Sequence, residues 1–315
     1  MISGVAFVFP GQGSQSVGMG RDFYDQEPDA RAIVGQASQV LGYDLARLCL
    51  TGPAEQLNLT EYTQPALLTV SVVALRLLQR AGIQPVAVAG HSLGEYTALV
   101  AAEGLAFPDA VTLVRNRGRY MQEAVAQGRG LVCAILGMER AVVAEVCRAA
   151  SSLGVVSPAN FNAPGQIVVA GEKAAVEEAV RLAKTKGCRR AIPLPVSVPV
   201  HTTLMQAAAE RLALDVARVP LNDLAVPLVN NADAKPIRAA SDVRASLIRQ
   251  LSSSVLWEDS VRVLTGLGVH TLVEVGPGTV LSGLAKRIAS ELRVLNVHDP
   301  LSLAATVETL GSCGA

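Results

Sequence analysis

Ser92 stands between two glycines in Gly90-His91-Ser92-Leu93-Gly94. The apolar run Val86-Ala87-Val88-Ala89 precedes it, and the helix-forming run Glu95-Tyr96-Thr97-Ala98-Leu99-Val100-Ala101-Ala102 follows. A strand, a sharp turn and a helix around G-x-S-x-G make a nucleophile elbow, which lifts the serine hydroxyl to where a base and a substrate can reach it. The chemistry expected of Ser92 is covalent acyl transfer. A serine needs a base, and the chain has four histidines, His91, His201, His270 and His298. His91 adjoins Ser92, and the elbow is expected to turn it away from the hydroxyl. His270 precedes a strand end and His298 lies near the C-terminus. His201 follows Pro199-Val200 at the expected start of a helix. Spacing favours His201 over His298 and leaves both open.

Arg117 is an independent clue. On a helical wheel of about 100° per residue, the helix from Asp109 to Val125 divides into an apolar half and a polar half. Arg117 falls in the apolar half, between Ala124 and Ala110, and is the one charged residue there. A buried guanidinium without a partner costs several kcal/mol. It must therefore meet a carboxylate of the protein, or a carboxylate or phosphate of a ligand. An oxyanion also needs donors. The residue after the nucleophile, Leu93, supplies one backbone N–H, and a loop at the end of a neighbouring strand supplies another. Gly11-Gln12-Gly13 suits that second place, since glycines permit close backbone approach. The same loop, Gly11-Gln12-Gly13-Ser14-Gln15-Ser16, lacks the third glycine of a dinucleotide fingerprint, which argues against nucleotide binding.

The elements that must position these residues alternate. Val5–Phe9 reads as a buried strand ending in the glycine-rich loop. Helical patterns follow at Ala30–Leu41 and Ala66–Ala81, then the strand feeding Ser92, then the Arg117 helix. This order predicts a mainly parallel sheet covered on both faces, an α/β-hydrolase-like large domain. After Gly128 the rhythm changes. Strands are expected at 131–136, 155–160, 166–170 and 189–194, with helices at 139–150 and 172–186. The order β-α-β-β-α-β is ferredoxin-like. The expected division is therefore a large domain of residues 1–128 and 198–315 and an inserted ferredoxin-like small domain of residues 129–197. In the resumed large domain, helices are expected at 204–216, at 242–251 with Ser241 as cap, and at 280–291. Strands are expected at 226–230 and 272–275.

The chain has 315 residues, half of them apolar, and 27 basic residues balance 27 acidic ones. That composition fits a globular α/β protein and argues against a nucleic-acid or anionic-membrane binder. The five cysteines, Cys49, Cys133, Cys147, Cys188 and Cys313, are scattered and form no C-x-x-C pair. Neither a disulfide framework nor a zinc site is expected, and a reducing cytoplasm fits. No stretch is both long and helical enough for a transmembrane span, and the N-terminal apolar run is too short for a signal peptide.

Six stretches together resemble the malonyl-CoA:acyl-carrier-protein transacylase family of bacterial fatty-acid synthesis. They are Phe9-Pro10-Gly11-Gln12-Gly13-Ser14-Gln15, Glu61-Tyr62-Thr63-Gln64-Pro65-Ala66, Gly90-His91-Ser92-Leu93-Gly94-Glu95-Tyr96, Asn160-Phe161-Asn162-Ala163-Pro164-Gly165-Gln166, Leu194-Pro195-Val196-Ser197-Val198-Pro199 and Glu274-Val275-Gly276-Pro277-Gly278. The resemblance spans nearly the whole chain. It implies Ser92 as acylated nucleophile and His201 as base, the histidine being oriented by a backbone carbonyl from the segment that holds Gln250. It implies Arg117 as holder of the malonyl carboxylate, Gln12 and Leu93 as oxyanion donors, and Asn160 and Asn162 as lining of the cleft. The implied reaction moves a malonyl group from malonyl-CoA through a malonyl-serine ester to the phosphopantetheine thiol of acyl carrier protein. No metal or organic cofactor is implied beyond these thioester substrates, and the implied state is a cytoplasmic monomer. Two positions bordering the acyl pocket depart from the family's usual residues. Val200 stands before the histidine, and Gly130-Leu131-Val132-Cys133 replaces Gly-Ala-Met-Ala. They keep open a 2-substituted malonyl substrate in a polyketide pathway. A serine thioesterase or esterase is the other alternative. Arg181, Lys184, Lys186, Arg189 and Arg190 form a basic cluster that could meet an acidic carrier protein.

Overall fold

The computed structural model describes residues 4–126, 128–194, 196 and 198–311. Pro195 and Ser197 of the fifth family stretch and Cys313 lie outside the described residues. Among the described residues, ten strands form two sheets. The larger contains β1 (Val5–Phe9), β2 (Ala87–Gly90), β7 (Leu228–Val229), β8 (Pro236–Ile237), β9 (Thr271–Val275) and β10 (Arg293–Val297). Its order is β10-β9-β1-β2-β7-β8. Every pair is parallel except β7 with β8. Central parallel strands are buried on both faces and read as unbroken apolar runs, as β1 and β2 do. Alternate residues feed two cores. Val5, Phe7 and Phe9 join the helices Pro28–Leu41, Thr60–Arg80 and Phe107–Ala124 on one face. Ala6 and Val8 join Trp257–Gly266 and Val280–Ile288 on the other. This is the expected α/β-hydrolase-like layering.

The smaller sheet contains β3 (Gly130–Leu136), β4 (Val156–Ala163), β5 (Gln166–Glu172) and β6 (Arg190–Pro193), in the order β4-β5-β3-β6. All its pairs are antiparallel. Cys133, Ile135, Ile167 and Val169 pack on one face with the helices Arg140–Ala150 and Lys173–Thr185. The opposite face carries Val132, Ala134, Ala159, Val168 and Ala170, with Leu194 and Val196 against them. Two backbone bonds join this sheet to the larger unit, Phe161 N to Val255 O at 2.9 Å and Val255 N to Ala159 O at 2.8 Å.

Several local expectations are corrected. The helix expected at Ala66 begins at Thr60 and runs through Pro65, because Thr63, Gln64 and Leu67 are buried and hold its first turns. Ser241 is not a cap. The helix spans Ala240–Gln250, and the Asp223 carboxylate, from a distant loop, accepts from Ala240 N at 2.8 Å. The strand expected over 226–230 shortens to Leu228–Val229, and the helix from Val280 stops at Ile288. β10 and the helices Trp257–Gly266 and Pro300–Gly311 add to what the pattern predicts. His201 does not start a helix. A 3-10 turn, Thr203–Met205, separates it from the helix Gln206–Arg218.

Candidate active site

β2 runs into the elbow, and the helix Gly94–Ala101 leaves it. A side chain on Gly90 would overlap the Gly94 backbone, and one on Gly94 would overlap the Phe9 carbonyl. The glycines thus allow strand and helix to close together, while the serine itself takes the left-handed conformation, with φ 52°. Asn231, at the carboxyl end of β7, braces the turn. Its Oδ1 accepts from Ser92 N at 2.6 Å, and its Nδ2 donates to Gly90 O at 2.6 Å.

Ser92 Oγ lies 2.8 Å from His201 Nε2. The other ring nitrogen, Nδ1, is 2.9 Å from the backbone carbonyl of Gln250, which requires Nδ1 to carry the proton and leaves Nε2 as acceptor. His201 is buried and also sits at positive φ, 61°. Burial, and then the nearby Arg117 charge, holds its imidazole down to about 3, so it is neutral at physiological pH and able to take a proton. His298 is instead beside Asp299 and His270 beside Thr271. His91 turns away from the hydroxyl, as expected. Its Nε2 is 2.9 Å from Asn162 Oδ1, and its ring leans on Trp257.

Arg117 is 1% exposed on the helix Phe107–Ala124, the one charged residue among that helix's buried positions. Its NH2 group donates to Ser92 Oγ at 3.0 Å and to Gln250 Oε1 at 3.0 Å, and its NH1 donates to Gln64 Oε1 at 2.9 Å. Among the described residues no carboxylate forms an ion pair with it, and its Nε–H has no acceptor. Its hydrogen-bond acceptors are neutral oxygens, and the Tyr96 ring centroid lies 5.6 Å from its central carbon. Burial lowers it from the ordinary guanidinium value. A guanidinium desolvated in this way and aimed at the Ser92 hydroxyl is chemically able to receive a carboxylate.

A cleft of about 540 Å³ opens on Ser92. Gln12, His91, Leu93, Arg117, Met121, Val200 and His201 line it, with Val132, Asn160, Leu194 and Val196 from the smaller unit. The backbone N–H groups of Gln12 and Leu93 have no acceptor among the described residues, as oxyanion donors awaiting a substrate would not. The Gln12 side chain is tied back to Thr60 Oγ1 at 3.3 Å. Asn162 is not among the side chains that line this cleft; its Oδ1 is 2.9 Å from Nε2 of His91, which does line it. Of the basic cluster, Arg181 is paired with Glu178 and Lys186 with Glu145.

Three residues close to the chemistry escape the sequence reading. Gln64 lies inside a quoted family stretch but had no role attached. Asn231 follows the apolar run of β7, and polar side chains at the carboxyl ends of parallel strands are the signal that could have found it. Glu95 is fully buried directly after the elbow. It looks like an ordinary solvated helix residue in the sequence.

An α/β-hydrolase-like sheet with an elbow serine bonded to a neutral histidine defines the class, proteins that carry acyl groups on a serine. Residues 6–305 match the family model described as acyl transferase domain. The malonyl CoA-acyl carrier protein transacylase of Escherichia coli (strain K12) is 50% identical over 304 residues, covering 96% of this chain and 98% of that protein. The corresponding protein of Bacillus subtilis (strain 168) is 45% identical over 310 residues, covering 98% of each. An acyl carrier protein S-malonyltransferase from Vibrio cholerae superposes with a TM-score of 0.94 at 48% identity, covering 96% of this chain and 100% of that one. A malonyl-transacylase solved in complex with a type II PKS acyl-carrier protein superposes with a TM-score of 0.96 at 45% identity, covering 98% and 100%. The chain belongs to the malonyl-CoA:acyl-carrier-protein transacylase family.

Proposed function

We propose that the protein moves a malonyl group from malonyl-CoA to the phosphopantetheine thiol of acyl carrier protein, through an ester on Ser92. His201 Nε2 takes the Ser92 proton as Oγ attacks the thioester carbonyl. The oxyanion is received by the Gln12 and Leu93 amides, and such donors are worth roughly two to three powers of ten in rate each. The proton on His201 passes to the departing coenzyme A thiolate, leaving the malonyl ester. The carrier thiol then gives its proton to His201 and attacks the ester, and Ser92 Oγ leaves with that proton. The cleft between the two sheets serves both thiols in turn. Residues 129–197 act in this reading as an inserted unit forming its far wall.

The observation that carries the assignment is Arg117, buried, without a carboxylate partner, and 3.0 Å from the nucleophilic oxygen. An acetyl group would leave it unpaired. The names of the relatives, with the complex that contains a carrier protein, support the same substrate pair. Incubation with malonyl-CoA is expected to add a malonyl mass to the Ser92 peptide, and addition of carrier protein to remove it. An increment that decays in water at the same rate without any thiol would identify a hydrolase instead. Turnover of methylmalonyl-CoA beside malonyl-CoA tests the pocket around Val132 and Val200.

A further inference from the structure

Glu95 is fully buried one helical turn from the nucleophile. Its Oε2 accepts from Asn231 N at 2.9 Å and from Gln250 Nε2 at 3.1 Å, and its Oε1 accepts from Ser246 Oγ at 3.3 Å. The Gln250 amide is polarised end to end. Its nitrogen faces Glu95 while its oxygen faces Arg117 at 3.0 Å. One amide therefore separates a buried acid from a buried cation, and no direct salt bridge joins them. A carboxylate touching Arg117 would occupy the guanidinium and exclude a substrate anion. A carboxylate one amide away compensates the charge and leaves the guanidinium open.

We propose that Glu95 is the resident counter-ion of Arg117, that it sets how tightly the site holds a substrate carboxylate, and that it takes up a proton from solvent when that carboxylate docks. In the empty site the two charges balance. The incoming carboxylate makes a second anion for one cation, in a place with little water, and protonating Glu95 restores the balance. The proton comes from bulk water or buffer, and no other bond changes. Burial raises the Glu95 carboxyl to about 7, so the proton is available near neutral pH. The groups facing it are Arg117 from the helix Phe107–Ala124, Ser246 and Gln250 from Ala240–Gln250, Asn231 from the loop after β7, and Tyr96 beside it on its own helix. Of these only Arg117 and Tyr96 titrate, and the Tyr96 hydroxyl is pushed up to about 12, which leaves Glu95 as the group that exchanges a proton near pH 7.

This inference rests on Arg117 as the carboxylate holder. Binding of malonyl-CoA and acetyl-CoA to a Ser92→Ala protein, which cannot be acylated at that residue, is measured by calorimetry at pH 7.5 in buffers of different ionisation enthalpy. Malonyl-CoA is expected to bring roughly half a proton more than acetyl-CoA into the complex. Adding Glu95→Gln is expected to abolish that uptake and to tighten malonyl-CoA binding about two- to fourfold, since a repelling charge is gone. A residue that merely supports the fold would weaken binding when replaced, the opposite sign. Equal uptake for both ligands, or malonyl-CoA binding that is unchanged or weaker in the folded double variant, overturns the role of Glu95. If the double variant does not fold, the uptake by the Ser92→Ala protein decides alone. Equal affinity for the two thioesters in the Ser92→Ala protein overturns the reading of Arg117 and this inference with it.

Discussion

The two sheets divide the labour of the site differently. The larger contributes the Ser92–His201 pair, the buried ions Arg117 and Glu95, and the amide of Gln250 between them. Ser92, Arg117, His201, Gln250 and Glu95 all come from segments anchored on its parallel strands and their helices. The smaller contributes Val132, Asn160, Leu194 and Val196, which shape the cleft without ionising. The contrast follows from packing. Central parallel strands are buried on both faces, so polar side chains cluster at their carboxyl ends, where loops and helix termini satisfy them. The four-stranded antiparallel sheet has helices on one face only. Its other face is free to become an apolar wall. In the proposed reaction, chemistry and acyl-group shape are thus set by different units.

The strongest way to break this division is Arg117→Ala. A charge-assisted hydrogen bond is worth roughly 1.5–3 kcal/mol, and an unpaired buried charge costs about 3–5 kcal/mol. The preference for malonyl over acetyl transfer should fall by about a hundred- to a thousandfold in competition assays. An undiminished preference would move the selectivity to the smaller sheet. Asn231→Ala comes next. It removes both braces of the elbow, and the expected loss in kcat is about ten- to a hundredfold, with roughly 2–4 kcal/mol lost in denaturant unfolding. A loss of stability with normal kcat would show that the elbow holds its own strain.

A third test concerns pH. Native His201 is held down to about 3 by burial, while the unfolded chain titrates near the ordinary 6.5. Between those values the unfolded state binds the extra proton. Stability contributed by this site is therefore complete above pH 6.5 and is lost as the pH falls toward 3. His201→Gln should flatten the acid side of a plot of Tm against pH, and an unchanged slope would place the acid sensitivity elsewhere. The smallest effect is expected from the wall. Val132→Ala should raise turnover of methylmalonyl-CoA relative to malonyl-CoA by about two- to fivefold, a methylene-scale change in an apolar pocket. A larger shift would mean that the smaller sheet does more than bound the space.

Much of this is legible in the sequence, for physical reasons. Val5–Phe9 is an apolar run because it is sheathed on both sides, and Arg117 stood out because helical periodicity forced a charge into a buried stripe. What stayed hidden depended on distant partners. Ser241 looks like a cap, yet Asp223, 17 residues before Ala240, satisfies the helix end. Thr60–Arg80 crosses a proline because its first turns are buried. Asn162 shares a motif with Asn160, but the register shift in β4 between Phe161 and Ala163 and the bond to His91 separate their surroundings. The resemblance implies roles for Ser92, His201 and Arg117 and none for Glu95, although its third stretch contains that residue, or for Asn231; the importance of both exists only once α and β elements have closed around them.

The bond between His91 and Asn162 ties the residue next to the nucleophile to the smaller sheet. The gap between the two units is therefore not an independent variable. Any movement that spreads them to admit a bulkier acyl chain pulls on the peptide that holds Ser92 in its left-handed turn. Breadth of substrate and sharpness of attack are mechanically coupled, and an enlarged pocket should come with a misaimed oxygen unless that tether is replaced.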